Sequence, residues 1–252
     1  MTTRNRPVGT VQRALAVLHT LAESREDLGN NEIARRTGAS PSTMSRLLAT
    51  LEHDRMVRRT SDSGRFQLGP RLVELGNAAL GRLDLRRLAR PHLLALTEET
   101  AETATLSLPD DLTTITVDFE QSPSSVRSVA QVGRPSVPHA TAVGKAFLAF
   151  SNVDPVAPLT PYTERTITDP DALSAELARS RKRGWAQAVG EREDDLNAVA
   201  APVRDPHGHL TAVLGLQGPA GRFGRPAMRA AADSLVTHAA QLGLTSGAHA
   251  PE

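Results

Sequence analysis

The 252-residue chain has no cysteine, only two lysines (Lys145 and Lys182) and few aromatics: five Phe, one Tyr and one Trp. Without cysteine there is no disulfide framework, no thiolate nucleophile and no thiolate metal site. The shortage of aromatics argues against the stacking platforms by which single-strand and RNA readers hold bases. No uninterrupted apolar run approaches the roughly 18 residues of a membrane span. The apolar stretch Ala14 to Leu21 follows Arg4 and Arg6, but His19 interrupts it and no cleavage site follows, so it does not read as a signal peptide. A cytoplasmic protein with no membrane partner is expected.

Excess charge of either sign is also missing, since 29 basic and 28 acidic residues leave a net charge of +1. That average conceals an asymmetry. Residues 1–92 carry 16 basic and 9 acidic side chains, a net of +7, whereas residues 93–252 carry 13 and 19, a net of −6. A basic module joined to an acidic one is the footprint of a nucleic-acid-binding domain attached to something else. The near-exclusive use of Arg decides nothing by itself, because a GC-rich genome gives the same bias.

The basic segment has a definite local grammar. Val11, Leu15, Leu18 and Ala22 recur at helical spacing and predict a helix over Thr10 to Glu23. Asn31 to Thr37 predicts a short second helix closed by Gly38, which takes positive φ cheaply. Ser40 as N-cap and Pro41 at the first helical position then open a third helix to His53. Its apolar stripe is Met44, Leu47, Leu48 and Leu51; the other arc carries Ser42, Arg46 and Ala49, flanked by Thr43, Ser45 and Thr50. Small hydroxyls around one Arg suit a helix lying close to DNA, where they meet phosphates or base edges and Arg reaches a guanine or a phosphate. Two strand-like runs, Met56 to Thr60 and Arg65 to Leu68, flank a Gly-containing tip and predict a hairpin bearing Arg58, Arg59 and Arg65. Leu72, Leu75, Ala79, Leu83 and Leu88 continue in helical spacing to Arg90, with Pro91 as the stop, and predict a linker helix whose stripe pairs with a second subunit. The rival reading is a three-helix protein-interaction module.

After residue 92 the pattern is α+β. A helix over His92 to Ala101 precedes a hairpin (Thr103 to Leu108, Thr113 to Phe119) and a strand over Val126 to Val132. Helices follow over His139 to Phe150 and from Asp169 or Asp171 to Arg183, then strands over Ala198 to Val203 and Leu210 to Leu216 and a final helix from Arg225 to Leu242. Gly144-Lys145 fails as a phosphate loop, because His139 stands where its first glycine belongs and Ala146 replaces the hydroxyl. His207 and His209 lack a third ligand; Ser136, His139 and Asp118 lack a nucleophile elbow. Glu191, Glu193, Asp194 and Asp195 read as a solvated acidic loop. No catalytic residue, cofactor or metal is expected, although an enzymatic or ligand-sensing α+β domain with an N-terminal protein-interaction module stays open as the alternative.

The stretches VQRALAVLHTLA (Val11 to Ala22), EIARRTGASPSTMSRLLATLEHDRMVRR (Glu32 to Arg59), GRFQLGPRLVELG (Gly64 to Gly76), VGRPSVPHATAVGKAFLAF (Val132 to Phe150) and AAPVRDPHGHLTAVLGLQGP (Ala200 to Pro219) closely resemble the IclR family of bacterial transcriptional regulators. The resemblance implies a winged helix-turn-helix over residues 1–70, a linker helix over 71–91, and a GAF-like α+β effector-binding and oligomerisation domain over 92–246. It further implies a sequence-specific regulator, a repressor by preference, that binds double-stranded operator DNA as a homodimer or homotetramer under control of a small-molecule effector. DNA-reading residues would be Arg35, Ser40, Ser42, Thr43, Ser45 and Arg46, with Arg58, Arg59 and Arg65 from the wing. Effector-binding positions would be Thr141, Ala142, Val143, Gly144, Asp195, Ala198, Gly215 and Gln217. Ala198 stands where the family has a cysteine, Ala188 replaces an acidic residue, and Gly215 and Gln217 replace small hydroxyls. The expected pocket is therefore roomier and less polar and takes a larger or neutral ligand, or it has no effector at all; the amides near Val143 and Gly144 are left to hold an anion.

Overall fold

The computed structural model describes residues 8–60, 62–81, 84–151, 153–155 and 158–247. Arg4, Arg6, Ser61 and Leu83, together with the side chain of Ala79, lie outside the described residues. The chain divides into two compact units, Met1–Arg82 and Leu83–Glu252.

In the first unit α1 (Gly9–Glu23), α2 (Asn30–Thr37) and α3 (Pro41–His53) are followed by β1 (Val57–Arg59), β2 (Phe66–Leu68) and α4 (Arg71–Gly81). Gly38 caps α2 in the left-handed region at φ 66°, and the Ser40 hydroxyl accepts the Thr43 amide at the start of α3. β1 and β2 pair antiparallel, Arg58 opposite Gln67, and Leu28 adds one further bridge to Phe66. The core is Val17, Leu21, Leu28, Ile33, Ala34, Met44, Leu48, Leu51, Val57 and Phe66.

On α1 the buried stripe differs from the expected one. Val17 and Leu21 are buried, with Ala14 and Leu18 half-buried beside them, whereas Val11 (56% exposed), Leu15 (51%) and Ala22 face solvent. Both sets have helical spacing and share Leu18, but they lie roughly a quarter turn apart on a 100° wheel. Periodicity found the helix and chose the wrong arc.

The second unit begins with α5 (Asp84–Thr100), then β3 (Thr103–Asp110), β4 (Thr113–Glu120), α6 (Ala142–Phe150), α7 (Pro170–Arg183), β5 (Ala186–Val189), β6 (Leu196–Arg204), β7 (Leu210–Pro219) and α8 (Arg225–Gly247). The antiparallel sheet has the order β4-β3-β7-β6-β5. Side chains alternate between its faces. Ala104, Leu106, Val199, Val203, Leu214 and Leu216 form a dry layer, while the opposite layer carries Ala186, Ala188, Ala198 and Ala200, with Ala142 and Ala146 of α6 packed against it.

Two expectations are corrected, and one strand is added. Pro91 lies inside α5 instead of ending a helix at Arg90. A mid-helix proline costs about 3 kcal/mol, and the full burial of Ala89, Leu93 and Leu96 around it offsets that cost. Val126 to Val132 is no strand: Val126 and Val129 are 68% and 71% exposed. Its carbonyls pair with side chains, Ser128 O with Thr103 Oγ1 and Val126 O with Arg222, so no ladder forms. β5 was not anticipated; its four residues AQAV are too short to declare an alternation.

Candidate functional site

In the first unit the arc of α3 away from the core presents Ser42, Ser45, Arg46, Ala49 and Thr50 to solvent, with Thr43 half-buried. The hydroxyls at its start are already coupled, since Ser40 Oγ donates to Thr43 Oγ1 at 2.9 Å and lies 3.1 Å from Ser42 Oγ. Arg46 and Arg35 are exposed, and neither guanidinium has a partner among the described residues. On the hairpin Arg58 donates to Gln67 Oε1 (3.2 Å), while Arg59 donates to Gly64 O (3.1 Å) and lies over the Phe66 ring. Arg65 is held differently. It approaches Glu32 at 3.4 Å, and Glu32 also pairs with Arg36 at 2.6 Å. The hydrogen bond from Arg36, and then that from Arg65, holds the Glu32 carboxyl below its usual range.

The second unit contains a cavity of about 490 Å³ over the alanine face of the sheet. Thr141, Ala142, Val143, Asp195, Ala198, Gly215 and Gln217 all line it. Gly144 does not. A Cβ there would fall 2.6 Å from Pro138 Cα, so this glycine permits close packing of α6 on the preceding turn. Its amide donates to Thr141 Oγ1 at 3.0 Å, the N-cap bond of α6, so it is not available to an anion. Gln217 donates to Ser128 Oγ at 2.8 Å across the cavity.

The pocket is also more polar than expected. Thr105, Ser107 and Thr116 from β3 and β4, and Arg127, Arg134 and Arg192 from loops, line it as well. Sequence comparison along β6 and β7 missed them because they come from other strands and from an irregular segment. The available signal was the alternation Thr103, Thr105, Ser107, which puts three hydroxyls on one face of β3.

Glu191 corrects the solvated-loop reading. It is 7% exposed and receives Lys145 Nζ on both carboxylate oxygens, at 2.7 and 2.8 Å, and Lys145 has no exposed surface. Burial pushes the Lys145 ammonium down and the Glu191 carboxyl up, each against the pull of its partner. Thr166 Oγ1 donates to Glu191 O and Thr163 Oγ1 to Gly190 O, at 2.6 and 2.7 Å. This buried cluster fixes the loop that carries Arg192 and Asp195 to the cavity wall.

The remaining chemical candidates are engaged elsewhere. Ser136 Oγ is 2.8 Å from Thr114 Oγ1, His139 Nε2 is 2.9 Å from Thr160 O, and Asp118 pairs with Arg86 and Arg90. His209 sits on Asp205 in an exposed turn, and no group of three metal-ligating side chains exists among the described residues. No helix among them is long and apolar enough to cross a membrane.

Residues 10–61 match the IclR helix-turn-helix domain, and residues 77–243 match the C-terminal domain of the bacterial transcriptional regulator IclR. The chain belongs to the IclR family. It is a DNA-binding transcriptional regulator with an effector domain. It is 31% identical to the HTH-type transcriptional regulator KdgR of Escherichia coli K12, over 96% of this chain and 94% of that protein. Against the transcriptional repressor IclR of the same organism it is also 31% identical, over 86% and 82%. Among solved structures, the fold is similar to an IclR homologue from Microbacterium hydrocarbonoxydans complexed with 4-hydroxybenzoate. That comparison has a TM-score of 0.77 and 26% identity, covering 92% of this chain and 99% of that one.

Proposed function

We propose that this IclR-family regulator is a cytoplasmic repressor that binds operator DNA as a homodimer or homotetramer and is released by a small ligand in the second unit's cavity. Residues 1–70 form the DNA-binding part, 71–91 the linker and 92–246 the effector and oligomerisation part; the protein acts without catalysis, cofactor or metal. The observation that carries this reading is the outer arc of α3, where Arg46 stands without a partner among short hydroxyl side chains. In a dimer, two such helices enter successive major grooves about 34–36 Å apart. Ser42, Ser45 and Arg46 meet base edges; Arg35, Ser40, Thr43, Arg58, Arg59 and Arg65 meet phosphates or support those that do. Solvent-facing Val11 and Leu15 on α1, and Val73 and Leu75 on α4, supply apolar surface for a second subunit.

Bound 4-hydroxybenzoate in the Microbacterium homologue supports a small-ligand role for this cavity. Its volume lies in the usual range for ligand pockets. A ligand that binds two conformations unequally shifts the DNA-competent population by that difference. A gel shift on duplexes from the protein's own promoter, repeated across salt, tests the reading. Arg46→Ala weakens the specific complex by about 1–3 kcal/mol if it reads a base. Equal loss on specific and random duplexes would reduce Arg46 to a phosphate contact.

A further inference from the structure

We propose that residues 126–134 form a strap that closes over the cavity mouth, drawn by Arg127 and Arg134 toward Glu193 and Asp195 on a fixed opposite rim. The inference rests on the reading of this cavity as a ligand site, and it concerns entry to that site, whatever the ligand.

The two rims are built differently. Val126 to Gln131 and Arg134 line the cavity on one side, and Arg192, Glu193, Asp195 and Leu196 line it on the other. The second rim is fixed from within. Lys145 holds Glu191 by both carboxylate oxygens, Gly190 N donates to Leu196 O at 3.0 Å, and Ala220 N donates to Asp195 O at 2.7 Å. A buried ion pair and closed backbone bonds leave that loop little freedom.

The strap is pinned at its ends. Upstream, Arg222 donates to Val126 O at 2.7 Å while its other nitrogens pair with buried Glu102. Ser128 is gripped twice, its carbonyl by Thr103 Oγ1 at 3.0 Å and its hydroxyl by Gln217 Nε2 at 2.8 Å. Thr103 and Gln217 are register partners on β3 and β7, so both grips come from one level of the sheet. Downstream, Gly133 takes φ 81°, and its amide donates to Thr116 O at 2.8 Å. A glycine in the left-handed region absorbs backbone rotation cheaply and serves as the second pivot. From Val129 to Val132 the one backbone group engaged among the described residues is Gln131 O, 3.4 Å from Arg134 N. Val129 and Val132 are 71% and 42% exposed. Few backbone bonds and apolar side chains in water define a segment of low local stability that gains by folding over an apolar wall.

Charge gives the motion its direction. Arg127 and Arg134 are exposed; Arg127 makes a 3.2 Å bond to Ser124 O, and the Arg134 side chain has no partner among the described residues. Glu193 and Asp195 are exposed on the fixed rim, and neither carboxylate has a partner among the described residues. Cations on the loose rim and anions on the fixed one attract each other across the mouth, an attraction that salt screens beyond about 10 Å at 0.1 M.

The absence of cysteine makes the test direct. Ala198→Cys puts a single thiol on the cavity wall, and Ala178→Cys puts one on the exposed face of α7. Both full-length proteins are treated with the neutral reagent 4,4′-dithiodipyridine, with no ligand or DNA present. At low salt the thiol at position 198 should react at least about tenfold more slowly than that at position 178. Raising salt to about 1 M should speed the reaction at 198 about two- to fivefold and leave that at 178 unchanged. In the Ala198→Cys background, Arg127→Gln/Arg134→Gln and Glu193→Gln/Asp195→Asn should each give the same acceleration at low salt and remove the salt dependence. All four together should add nothing further, because the charges act on each other. The proposal is overturned if position 198 reacts as fast as 178 at low salt, if neither neutralised pair speeds it while melting like the parent, or if the two accelerations multiply. These rates do not depend on the effector reading. Should no cavity-binding compound alter DNA affinity, that reading fails and the strap stands; should the strap fail, that reading is untouched.

Discussion

Removing one partner of the Lys145–Glu191 pair should be the most destabilising conservative change in the second unit. Lys145 is fully buried, and both of its hydrogen-bonded contacts go to one carboxylate. Truncating either member strands its partner in a dry site, which costs about 3–5 kcal/mol for a buried pair. For a unit of this size each kcal/mol moves the melting temperature by about 2–4 °C, so Lys145→Met or Glu191→Gln should lower it by roughly 6–20 °C. The double variant Lys145→Met/Glu191→Leu carries no stranded charge and should return to within about 1 kcal/mol of the parent or exceed it. Calorimetry and urea denaturation of the four proteins complete the cycle. A pH arm adds a signed check on Glu191→Gln. Burial already holds the Lys145 ammonium below its ordinary value. Once its counter-charge is gone, the unfolded chain binds that proton more readily than the folded one, so stability rises with pH up to the unfolded lysine value of about 10.4. Additive single-variant losses, or single variants within 1 kcal/mol of the parent, would refute the reasoning.

Other consequences can be measured separately. Glu32→Gln releases Arg36 and Arg65 from their shared carboxylate, so non-specific DNA affinity should rise and its salt dependence steepen; an unchanged slope removes Arg65 from the phosphate footprint. His92 has its pKa pushed below 6.5, chiefly by burial and then by His238, whose Nδ1 lies 2.8 Å from that of His92. The folded state therefore resists protonation, and the stability this site contributes declines as pH falls below about 6.5. Melts of the parent and His92→Asn between pH 7.5 and 5 should converge toward the acid end; parallel curves would dismiss the histidine pair. Gly144→Ala forces a Cβ against the Pro138 backbone and should destabilise the second unit by about 1–3 kcal/mol, read in the same calorimetric scan.

How far sequence alone reached depended on how local the determining interaction was. α3 was legible to the residue because Gly38, Ser40 and Pro41 declare its start within four positions. α7 was legible at its end, where Gly184 closes it at φ 85°, but its start stayed open between Asp169 and Asp171 until the structure showed Asp169 capping two amides. The failures are non-local. The buried arc of α1 is chosen by α2 and by β2, not by its own spacing. Pro91 is tolerated because the helix around it is buried. The valines of residues 126–132 have strand propensity but no neighbouring strand to pair with. Glu191 looked solvated among three acidic neighbours, and its counter-charge stands 46 positions earlier. The cavity-lining positions on α6, β6 and β7 came through family resemblance; the hydroxyls of β3 and β4 needed the register Thr105↔Gly215 and Ser107↔Thr116 to join them.

That register also accounts for why one sheet serves as both core and cavity wall. On the face toward α8, Leu and Val close the space and leave Leu106, Val199, Leu214 and Leu216 almost without exposed surface. On the opposite face the same strands offer Gly215, Ala198 and Ala188, side chains too short to reach α6 everywhere, and the unfilled part is the cavity. Alternation converts a two-residue difference in side-chain length into a one-sided void without weakening the ladder that holds the strands. A larger residue at 215 would therefore test the whole construction: it would strike Thr105 and Val143 before it met solvent, filling the cavity from within the sheet.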